Sequence, residues 1–242
     1  MPPTPATPPT VFHITHWKSG SQWIHRILLD LAGPRVVAPQ VNETQFLERP
    51  LVAGGVYPTV YVTREQFDSV PQPGPYRRFV VIRDLRDTLV SGYFSIRYSH
   101  PMIASELASW RDRLAALSTE DGLLMLMDEW LPLSARIQES WLRAGEPLIR
   151  YEDMLADDLG VLDRVLIGQC ALPVTPAQLQ AAVARNRFEA LSGGRKAGEE
   201  DLQAHERKGI CGDWKNHFTP RVTNVFLERH GELLARAGYD AP

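Results

Sequence analysis

The spacing of apolar residues changes near residue 20. Residues 11 to 15 form a short run of β-prone side chains, which is typical of a strand. From Trp23 to Leu31 the apolar residues recur every three or four positions, which predicts an amphipathic helix ending at Gly33 and Pro34. The few residues between the two segments have to turn the chain. The sequence therefore opens with a strand, a tight turn and a helix.

Further segments follow with the same two spacings. Residues 79 to 82 form a continuous apolar run, as in strands buried on both faces, and Asp84 is placed to cap a helix that starts at Leu85. A third core strand is predicted at residues 147 to 151. Helices are predicted over residues 121 to 144, with a start, kink or break at Pro132, and over residues 152 to 168, 176 to 185 and 220 to 236.

Strands that alternate with helices indicate an α/β fold with a mostly parallel central sheet flanked by helices. The length of 242 residues fits one domain, which we place at residues 11 to 242. Residues 1 to 10 are rich in proline and are predicted to be a disordered tail. We expect irregular structure in residues 34 to 58 and a mobile loop in residues 192 to 200. Ligands of such folds bind beyond the carboxyl ends of the strands.

Composition narrows the classes of function. The chain is 44% hydrophobic and its formal net charge is −3, so nothing attracts it generally to nucleic acid or to an anionic membrane. It has no run of about 18 apolar residues and no basic, apolar leader of the secretory type. Two cysteines, Cys170 and Cys211, imply no disulfide framework, and no Cys/His cluster indicates a metal site. We expect a cytoplasmic protein that acts on small molecules.

The turn after the first strand has the features of an anion site. Residues 15 to 23 have the sequence Thr-His-Trp-Lys-Ser-Gly-Ser-Gln-Trp. A loop that enters a helix presents free backbone N–H groups, and these bind anions together with the helix dipole. Gly20 permits close backbone approach, Lys18 supplies a positive charge, and Ser19 and Ser21 offer hydroxyl donors. The sequence therefore predicts a phosphate-binding loop.

The nucleotide-binding loop of kinases and ATPases is an alternative interpretation of this segment. That loop has the order Gly-x-x-x-x-Gly-Lys-Ser/Thr, with the lysine after the second glycine. Here Lys18 precedes Gly20, and no glycine lies upstream of it. The order of the residues therefore argues against a small-molecule kinase.

A second candidate phosphate site follows the strand at residues 79 to 82. Arg83 ends that strand, and Ser91 lies two turns into the next helix. A planar guanidinium group can bind a phosphate through two parallel hydrogen bonds. We interpret Arg86 and Asp87, which lie between them, as surface charges. Arg83 and Ser91 are thus predicted to converge on one phosphate at the edge of the sheet.

A third motif, at residues 207 to 219, has the sequence Arg-Lys-Gly-Ile-Cys-Gly-Asp-Trp-Lys-Asn-His-Phe-Thr. Together with the two earlier segments, it resembles the motifs of the cytosolic-type sulfotransferases. This segment matches that family's R-K-G-x-x-G-D-W-K-x-x-F-T at every fixed position. The turn at residues 15 to 23 is similar to its 5′-phosphosulfate loop, T-Y-P-K-S-G-T-T-W, and residues 83 to 91 are similar to its 3′-phosphate motif. Weaker matches lie at residues 151 to 153 and 186 to 188. The chain is identified as a short, bacterial-like member of the family.

The resemblance implies a P-loop-like sulfotransferase fold and an activity. A sulfuryl group would move from 3′-phosphoadenosine 5′-phosphosulfate (PAPS) to a hydroxyl or amine of a small-molecule acceptor, leaving adenosine 3′,5′-bisphosphate (PAP). No metal is implied. The family's dimer motif matches only at Lys215 and Thr219, so no oligomeric state is inferred. Residues 34 to 75 and 97 to 120, where the resemblance is thinnest, are expected to shape the acceptor pocket.

The resemblance also assigns roles to individual residues. Lys18 would neutralise the bridging oxygen as the leaving phosphate departs. The 5′-phosphate would be held by Ser19, Gly20, Ser21, Gln22 and Trp23. The remainder of the donor would be held by Arg83, Ser91, Arg207, Lys208 and Gly209 at the 3′-phosphate and by Tyr151 and Phe188 at the adenine.

The family's general base is missing from its usual place. The family carries Lys-Thr-His-x-Pro on a strand before the 3′-phosphate motif, whereas residues 57 to 64 here contain neither histidine nor lysine. Three explanations stay open. Another side chain acts as the base, with His16 the preferred candidate and His100 and Glu43 the others; or the acceptor is a phenolate that needs little assistance; or the protein binds the nucleotide without transferring anything.

Overall fold

A computed structural model describes residues 8–39, 45–101 and 105–240. Within these ranges the strands form one parallel sheet with the order β2-β1-β3-β4. The strands are Thr10–Ile14 (β1), Val56–Val60 (β2), Tyr76–Ile82 (β3) and Leu148–Arg150 (β4). The predicted parallel α/β architecture is confirmed.

Helices connect the strands and cover both faces of the sheet. The α-helices of the described ranges are Ser21–Ala32 (α1), Gln45–Glu48 (α2), Arg64–Ser69 (α3), Leu85–Phe94 (α4), Ser105–Ala116 (α5), Thr119–Glu129 (α6), Leu131–Arg143 (α7), Tyr151–Ala156 (α8), Asp158–Leu162 (α9), Pro176–Arg185 (α10), Phe188–Leu191 (α11) and Pro220–Arg236 (α12). Single turns of 3₁₀-helix lie at Gly33–Arg35 and Asp213–Asn216, and π-helical turns at Ser95–Ser99 and Asp163–Gln169. None of the helices in the described ranges is long and apolar enough to cross a membrane.

The second half of strand β3 is buried on both faces, which explains why residues 79 to 82 are all apolar and do not alternate with polar residues. Phe79 and Val81 pack into the hydrophobic cluster that contains α1 and α10. Val80 and Ile82 point to the other face and pack with α3 and α7. Because successive side chains of a strand face opposite ways, a strand covered on both faces needs apolar residues at every position.

The predicted helix over residues 121 to 144 is two helices. Helix α6 ends at Glu129 and α7 starts at Leu131, with Pro132 in its first turn. The first turn tolerates proline because its N–H groups have no partner within the helix. The predicted start or break at Pro132 is confirmed.

The segment predicted to be irregular, residues 34 to 58, contains the start of β2 and the short helix α2. Pro58 argues against a strand in the sequence, because proline cannot donate a hydrogen bond within a sheet. Here it is tolerated because β2 is the edge strand, with only an isolated bridge from Val36 on its outer side. Val56 is completely buried, so the strand forms by burial in spite of its proline.

Two other boundaries differ from the prediction. The helix expected over residues 152 to 168 is broken at Asp157, whose carboxylate accepts a hydrogen bond of 2.9 Å from the Gly160 N–H and caps α9. Strand β1 begins at Thr10, inside the predicted tail, because Thr10 is already buried and hydrogen-bonded to the Pro75 carbonyl. Residues 1–7 lie outside the described ranges.

Candidate functional site

The loop between β1 and α1 lies at the carboxyl edge of the sheet, beside the end of β3. The Thr15 hydroxyl donates to the Val81 carbonyl at 3.0 Å and ties the loop to β3. The Ser19 hydroxyl donates to the His16 carbonyl at 2.5 Å and lies against Thr15 Oγ1. Ser19 is completely buried, so its hydroxyl braces the loop and only its backbone N–H is left for a ligand.

Two backbone conformations shape this loop. Lys18 has φ of 60° and Gly20 has φ of 83°, both in the left-handed region. Gly20 is the N-cap residue of α1, and no side chain caps that helix end. A Cβ on Gly20 would lie 2.7 Å from Tyr151 Cε2, so no side chain fits there. The first-turn N–H groups of α1 are therefore left without a side-chain cap at this end of the helix.

Arg83 joins the phosphate loop to the third motif. Its guanidinium donates to the Lys18 carbonyl at 2.9 Å and to the Ile210 carbonyl at 3.3 Å. The same group lies 4.7 Å above the Tyr151 ring. Its Nε is buried and has no hydrogen-bond partner within the described ranges. Arg83 thus positions two loops at the carboxyl edge of the sheet.

Arg207 and Lys208 are held by Asp213. Lys208 Nζ lies 2.7 Å from one carboxylate oxygen, and Arg207 Nη2 lies 2.5 Å from the other. Burial alone would raise the pKa of Asp213, but hydrogen bonds from four side chains hold it well below its usual range. Those side chains are His217, Lys208, Asn216 and Arg207.

Asp87 anchors the third motif to α4. Its carboxylate accepts the N–H of Gly212 at 2.6 Å and the N–H of Trp214 at 3.0 Å. Arg86 pairs with Asp84 at 2.7 Å and lies 4.0 Å above the Trp214 ring. Both Arg86 and Asp87 are buried, so their interpretation as surface charges was wrong. Tertiary contacts with the third motif, which lies over 120 residues away in sequence, bury them.

These loops surround a cleft of about 560 Å³, here called the phosphate cleft. The predicted residues among its lining are Lys18, Gly20, Ser21, Gln22, Trp23, Arg83, Ser91, Tyr151, Phe188, Arg207, Lys208 and Gly209. Three segments that are far apart in sequence therefore meet as the motifs predicted. Ser19 and His16 are not among the lining residues.

Gly209 and Phe188 form a tight wall of the phosphate cleft. Gly209 has φ of 65°, and a Cβ there would lie 2.5 Å from Phe188 Cδ2. The Phe188 ring also lies under the Arg195 guanidinium at 5.2 Å. Asn186, two residues before Phe188, donates to Asp30 at 3.0 Å and to the Ala182 carbonyl at 2.8 Å. Phe188 therefore offers a fixed aromatic face, while Asn186 braces the chain behind it.

A second cavity of about 610 Å³ adjoins the phosphate cleft and is here called the aromatic cavity. Six aromatic side chains contribute to its wall: Trp17, Phe46, Tyr57, Tyr61, Trp110 and Trp130. The residues shared by both cavities are Trp17, Lys18, Gln22, Tyr61, Ser95, His100 and His205. Lys18 thus lies where the two spaces meet. Parts of residues 34 to 75 and 97 to 120 line the aromatic cavity.

His16 does not reach either cavity. Its Nε2 accepts the Arg83 N–H at 3.2 Å, and its Nδ1 lies 3.0 Å from the Trp17 carbonyl. Burial, above all, lowers the pKa of His16 to about 4. Both nitrogens are used by the backbone, so the ring braces the loop and offers no free lone pair. The sequence could not reveal this, because adjacency in the chain does not fix the direction of a side chain.

The other candidate bases differ in position. His100 lines both cavities, and its Nδ1 lies 2.9 Å from the Pro101 carbonyl. Glu43 lies outside the described residues. His205 also lines both cavities and was missed by the sequence analysis. Its proximity to the third motif, two residues before Arg207, was the signal that could have identified it. In the described part of the chain no group of three or more potential metal ligands occurs.

Comparisons with known proteins agree with this geometry. The family described as "Sulfotransferase domain" matches residues 76–238. The 3-alpha-hydroxysteroid sulfotransferase of Cavia porcellus is 23% identical over 256 aligned residues, which cover 92% of this chain and 82% of that protein. Human sulfotransferase 2B1 is 32% identical over 101 residues, covering 36% of this chain and 27% of that protein.

Solved structures are similar in fold. Mouse sulfotransferase SULT7A1 complexed with PAP has a TM-score of 0.65 at 18% identity, covering 96% of this chain and 89% of that one. A retinol dehydratase in complex with retinol and PAP has a TM-score of 0.58 at 15% identity, covering 95% and 82% respectively. Because the family match covers more than half of the chain, this protein belongs to the sulfotransferase family.

Proposed function

We propose that this sulfotransferase moves a sulfuryl group from PAPS, bound in the phosphate cleft, to a hydroxyl or amine of a small molecule in the aromatic cavity. The observation that carries the proposal is the position of Lys18, which lines both cavities at their junction. Transfer requires a donor site and an acceptor site that meet at one point. A cation belongs at that point, because negative charge builds up on the leaving phosphate.

The residues of the phosphate cleft fit the donor. The open helix end at Ser21 and the cation of Lys18 suit a 5′-phosphosulfate. Arg83, Arg207 and Lys208 add further positive charge, which suits the 3′-phosphate that distinguishes PAPS from ATP. A Cβ at Gly20 would clash with Tyr151 and one at Gly209 with Phe188, so the two glycines let these aromatic rings pack against the backbone of the cleft. Tyr151 and Phe188 offer aromatic surface for the adenine.

Positioning and electrostatics account for the chemistry that these residues supply. Sulfuryl transfer spreads charge over peripheral oxygens, as phosphoryl transfer does, so alignment and cations matter more than covalent help. Lys18 stabilises charge on the bridging oxygen, and the backbone N–H groups of Ser19 to Trp23 hold the 5′-phosphate. Arg83 keeps the loop of Lys18 in place through its hydrogen bond to the Lys18 carbonyl.

The aromatic cavity suits an acceptor with a large apolar surface. Its volume lies in the range typical of small-molecule sites, and Trp17, Trp110 and Trp130 offer flat apolar walls. A structural neighbour, a retinol dehydratase, has been solved with androsterone. Cys170 and Cys211 are both free thiols, which fits the proposed cytoplasmic location. A net charge of −3 fits a protein with no nucleic-acid partner.

The test separates an enzyme from a protein that only binds nucleotide. Purified protein is incubated with ³⁵S-labelled PAPS and a panel of phenols, alcohols and amines, and labelled product is counted. Calorimetry then compares PAP with ATP. We expect transfer to at least one acceptor and PAP binding at least tenfold tighter than ATP binding. Tight PAP binding without transfer to any acceptor would indicate a catalytically altered nucleotide-binding protein, and tighter ATP binding would indicate a kinase.

Replacing Lys18 tests the mechanism within that assay. Lys18→Ala removes the cation at the junction, so kcat should fall about 100-fold or more, in line with losses of other electrostatic donors. Lys18→Arg keeps a positive charge on a side chain of different shape, so its kcat should fall less than that of Lys18→Ala. Near-normal transfer by Lys18→Ala would contradict the role given to this residue.

A further inference from the structure

His205 lies at the junction of the donor and acceptor sites. Its side chain lines both the phosphate cleft and the aromatic cavity, and Lys18 does the same. The charge of Lys18 acts on the imidazole, as do those of Glu206, His100 and Arg26. A side chain in this place is close to the point where an acceptor hydroxyl has to meet the sulfur of the donor.

The backbone around His205 is fixed by the loop that carries Arg207 and Lys208. The Arg195 guanidinium donates to the Glu206 carbonyl at 2.6 Å and to the Arg207 carbonyl at 2.9 Å. Gly198 donates its N–H to the Lys208 carbonyl at 2.8 Å. Residues that hold the donor and His205 therefore belong to one braced segment. Binding of the donor would fix the position of the imidazole as well.

The His205 ring is free to take up a proton. Within the described ranges no hydrogen bond engages either of its nitrogens, whereas both nitrogens of His16 are bonded to backbone groups. His100, which also lines both cavities, donates from Nδ1 to the Pro101 carbonyl at 2.9 Å and so has one of its two nitrogens engaged. Of the three rings, His205 is thus the one that lies on both cavity walls with neither nitrogen engaged by a described residue, and it belongs to the segment that also carries Arg207 and Lys208.

We propose that His205 is the general base of this sulfotransferase and replaces the histidine that is missing from residues 57 to 64. The proposal rests on the proposed function. It assigns a catalytic role to a residue outside the three nucleotide motifs.

The step balances as follows. The acceptor oxygen forms a bond to sulfur while its proton moves to an unprotonated nitrogen of His205. The bond between sulfur and the bridging oxygen breaks, and its electron pair stays on that oxygen beside the Lys18 ammonium. The products are the sulfated acceptor, PAP and an imidazolium ion. The imidazolium then returns its proton to water.

The surroundings of His205 keep it in the form that a base needs. Desolvation first, and then the positive charge of Lys18, lower the pKa of His205 below its ordinary value of 6.5. Glu206 opposes this shift, while His100 and Arg26 add to it. The shift therefore favours the neutral imidazole over the imidazolium. Activity should fall as the pH is lowered through this depressed pKa, because the protonated ring cannot accept a proton.

The experiment compares His205→Gln with wild type in four measurements. They are the ³⁵S-transfer rate, its pH profile, the Kd for PAP and the NMR titration of ¹³C-labelled histidine rings. We expect kcat to fall about 100-fold with the Kd for PAP within threefold of wild type, and the acid limb of the pH profile to disappear. The ring signal missing from the variant identifies His205, and in wild type it should titrate below pH 6.5 and move when PAP is added.

The acidity of the acceptor supplies an independent readout. An acidic phenol such as 4-nitrophenol is already partly ionised at neutral pH and needs less help from a base, so His205→Gln should slow its sulfation much less than that of 4-methylphenol or an alcohol. Loss of packing alone would slow all acceptors equally. Added imidazole should partly restore the rate of a His205→Ala variant.

A distant histidine serves as the matched control. His230 lies on α12 against Phe226, and neither cavity includes it. His230→Gln should retain kcat within twofold. His100→Gln is made alongside, and its kcat should fall less than that of His205→Gln.

Each contrary result has a defined meaning. Unchanged kcat in His205→Gln, a larger loss in His100→Gln, or equal losses on all acceptors would overturn the assignment of His205 while leaving the sulfotransferase function in place. A His205 ring signal that does not move when PAP is added would also overturn the assignment. A wild-type protein that transfers sulfate to no acceptor would remove the proposed function, and this proposal with it.

Discussion

Lys18 is a cation in surroundings that disfavour its charge. Desolvation, followed by the charges of Arg83 and Arg207, lowers the pKa of Lys18 to about 8. A bound nucleotide brings negative charge and should raise that pKa again. The affinity of the phosphate cleft is therefore coupled to pH.

Binding of PAP should weaken above pH 8. The bound anion favours the protonated form of Lys18. Below pH 8 the free protein already carries that proton, whereas above pH 8 Lys18 has to take up a proton when PAP binds. We expect the Kd for PAP to rise by up to about tenfold per pH unit in this range. Calorimetry in two buffers of different ionisation enthalpy measures both the Kd and the proton uptake. Lys18→Arg is the control, since arginine stays charged; an equal pH dependence in that variant would assign the effect to another group.

Gly20 should tolerate no side chain. Gly20→Ala places a Cβ 2.7 Å from the Tyr151 ring, which has to move together with the phosphate loop. We expect at least a tenfold loss of PAP affinity by calorimetry. Gly193→Ala is the control, because its φ of 73° gives similar backbone strain but nothing lies within 4 Å of the new atom. It should lose about 1 kcal/mol of stability in chemical denaturation and keep its affinity. A Gly20→Ala variant with normal affinity would show that PAP binding does not depend on the packing of Tyr151 against Gly20, and would contradict this expectation.

The regular structure within the third motif, residues 207 to 219, consists of the 3₁₀ turn Asp213–Asn216. Its position depends on α4, through Asp87, and on Arg83 at the end of β3. The cations of the motif are held in turn by Asp213. The arrangement of α4 and this loop therefore decides whether Arg207 and Lys208 reach the phosphate cleft.

Asp87→Ala should detach the third motif from α4. It leaves the N–H groups of Gly212 and Trp214 without their acceptor, at a cost of about 2 to 4 kcal/mol. Affinity for PAP should fall at least tenfold as well. Urea denaturation and calorimetry measure the two effects. Asp128→Ala, which removes an exposed ion pair with Arg229, should change stability by less than about 1 kcal/mol. Equal stability losses in the two variants would contradict the anchoring role of Asp87.

The phosphate cleft and the aromatic cavity share one junction, but their far walls are formed by different parts of the molecule. Phe188 lines only the phosphate cleft, and Trp110 lines only the aromatic cavity. Helix α5 carries Trp110, whereas Phe188 begins α11 in another part of the fold. Donor and acceptor binding should therefore respond to different substitutions.

Phe188→Ala and Trp110→Ala serve as controls for each other. Phe188→Ala should raise the Kd for PAP about tenfold, since it removes an aromatic face worth roughly 1 to 3 kcal/mol to a stacked base, and should leave the acceptor KM within twofold. Trp110→Ala should raise the acceptor KM at least fivefold and leave the Kd for PAP within twofold. Calorimetry and steady-state kinetics measure the two constants. If both variants changed the Kd for PAP and the acceptor KM to a similar extent, the two cavities would act as one continuous site, contrary to this prediction.

The parallel α/β fold and the segments that line the phosphate cleft could be predicted from the sequence. They could be predicted because strand burial, helix starts and phosphate-binding loops are local patterns, visible in residues 11 to 31 and 79 to 91. The motif at residues 207 to 219 was equally visible, although its packing against Asp87 was not. Strand β2 was not predicted. Its Pro58 is tolerated because β2 lies at the edge of the sheet, and the order of strands in the sheet is not visible in the sequence.

Packing between distant parts of the chain determines which polar side chains face the two cavities. His16 is next to the lysine in sequence, yet its ring points into the fold and is used by the backbone. His205 is 187 residues from Lys18 along the chain, yet both line the same two cavities. Chain folding sets such distances through packing far away in sequence, and no local spacing of residues records them.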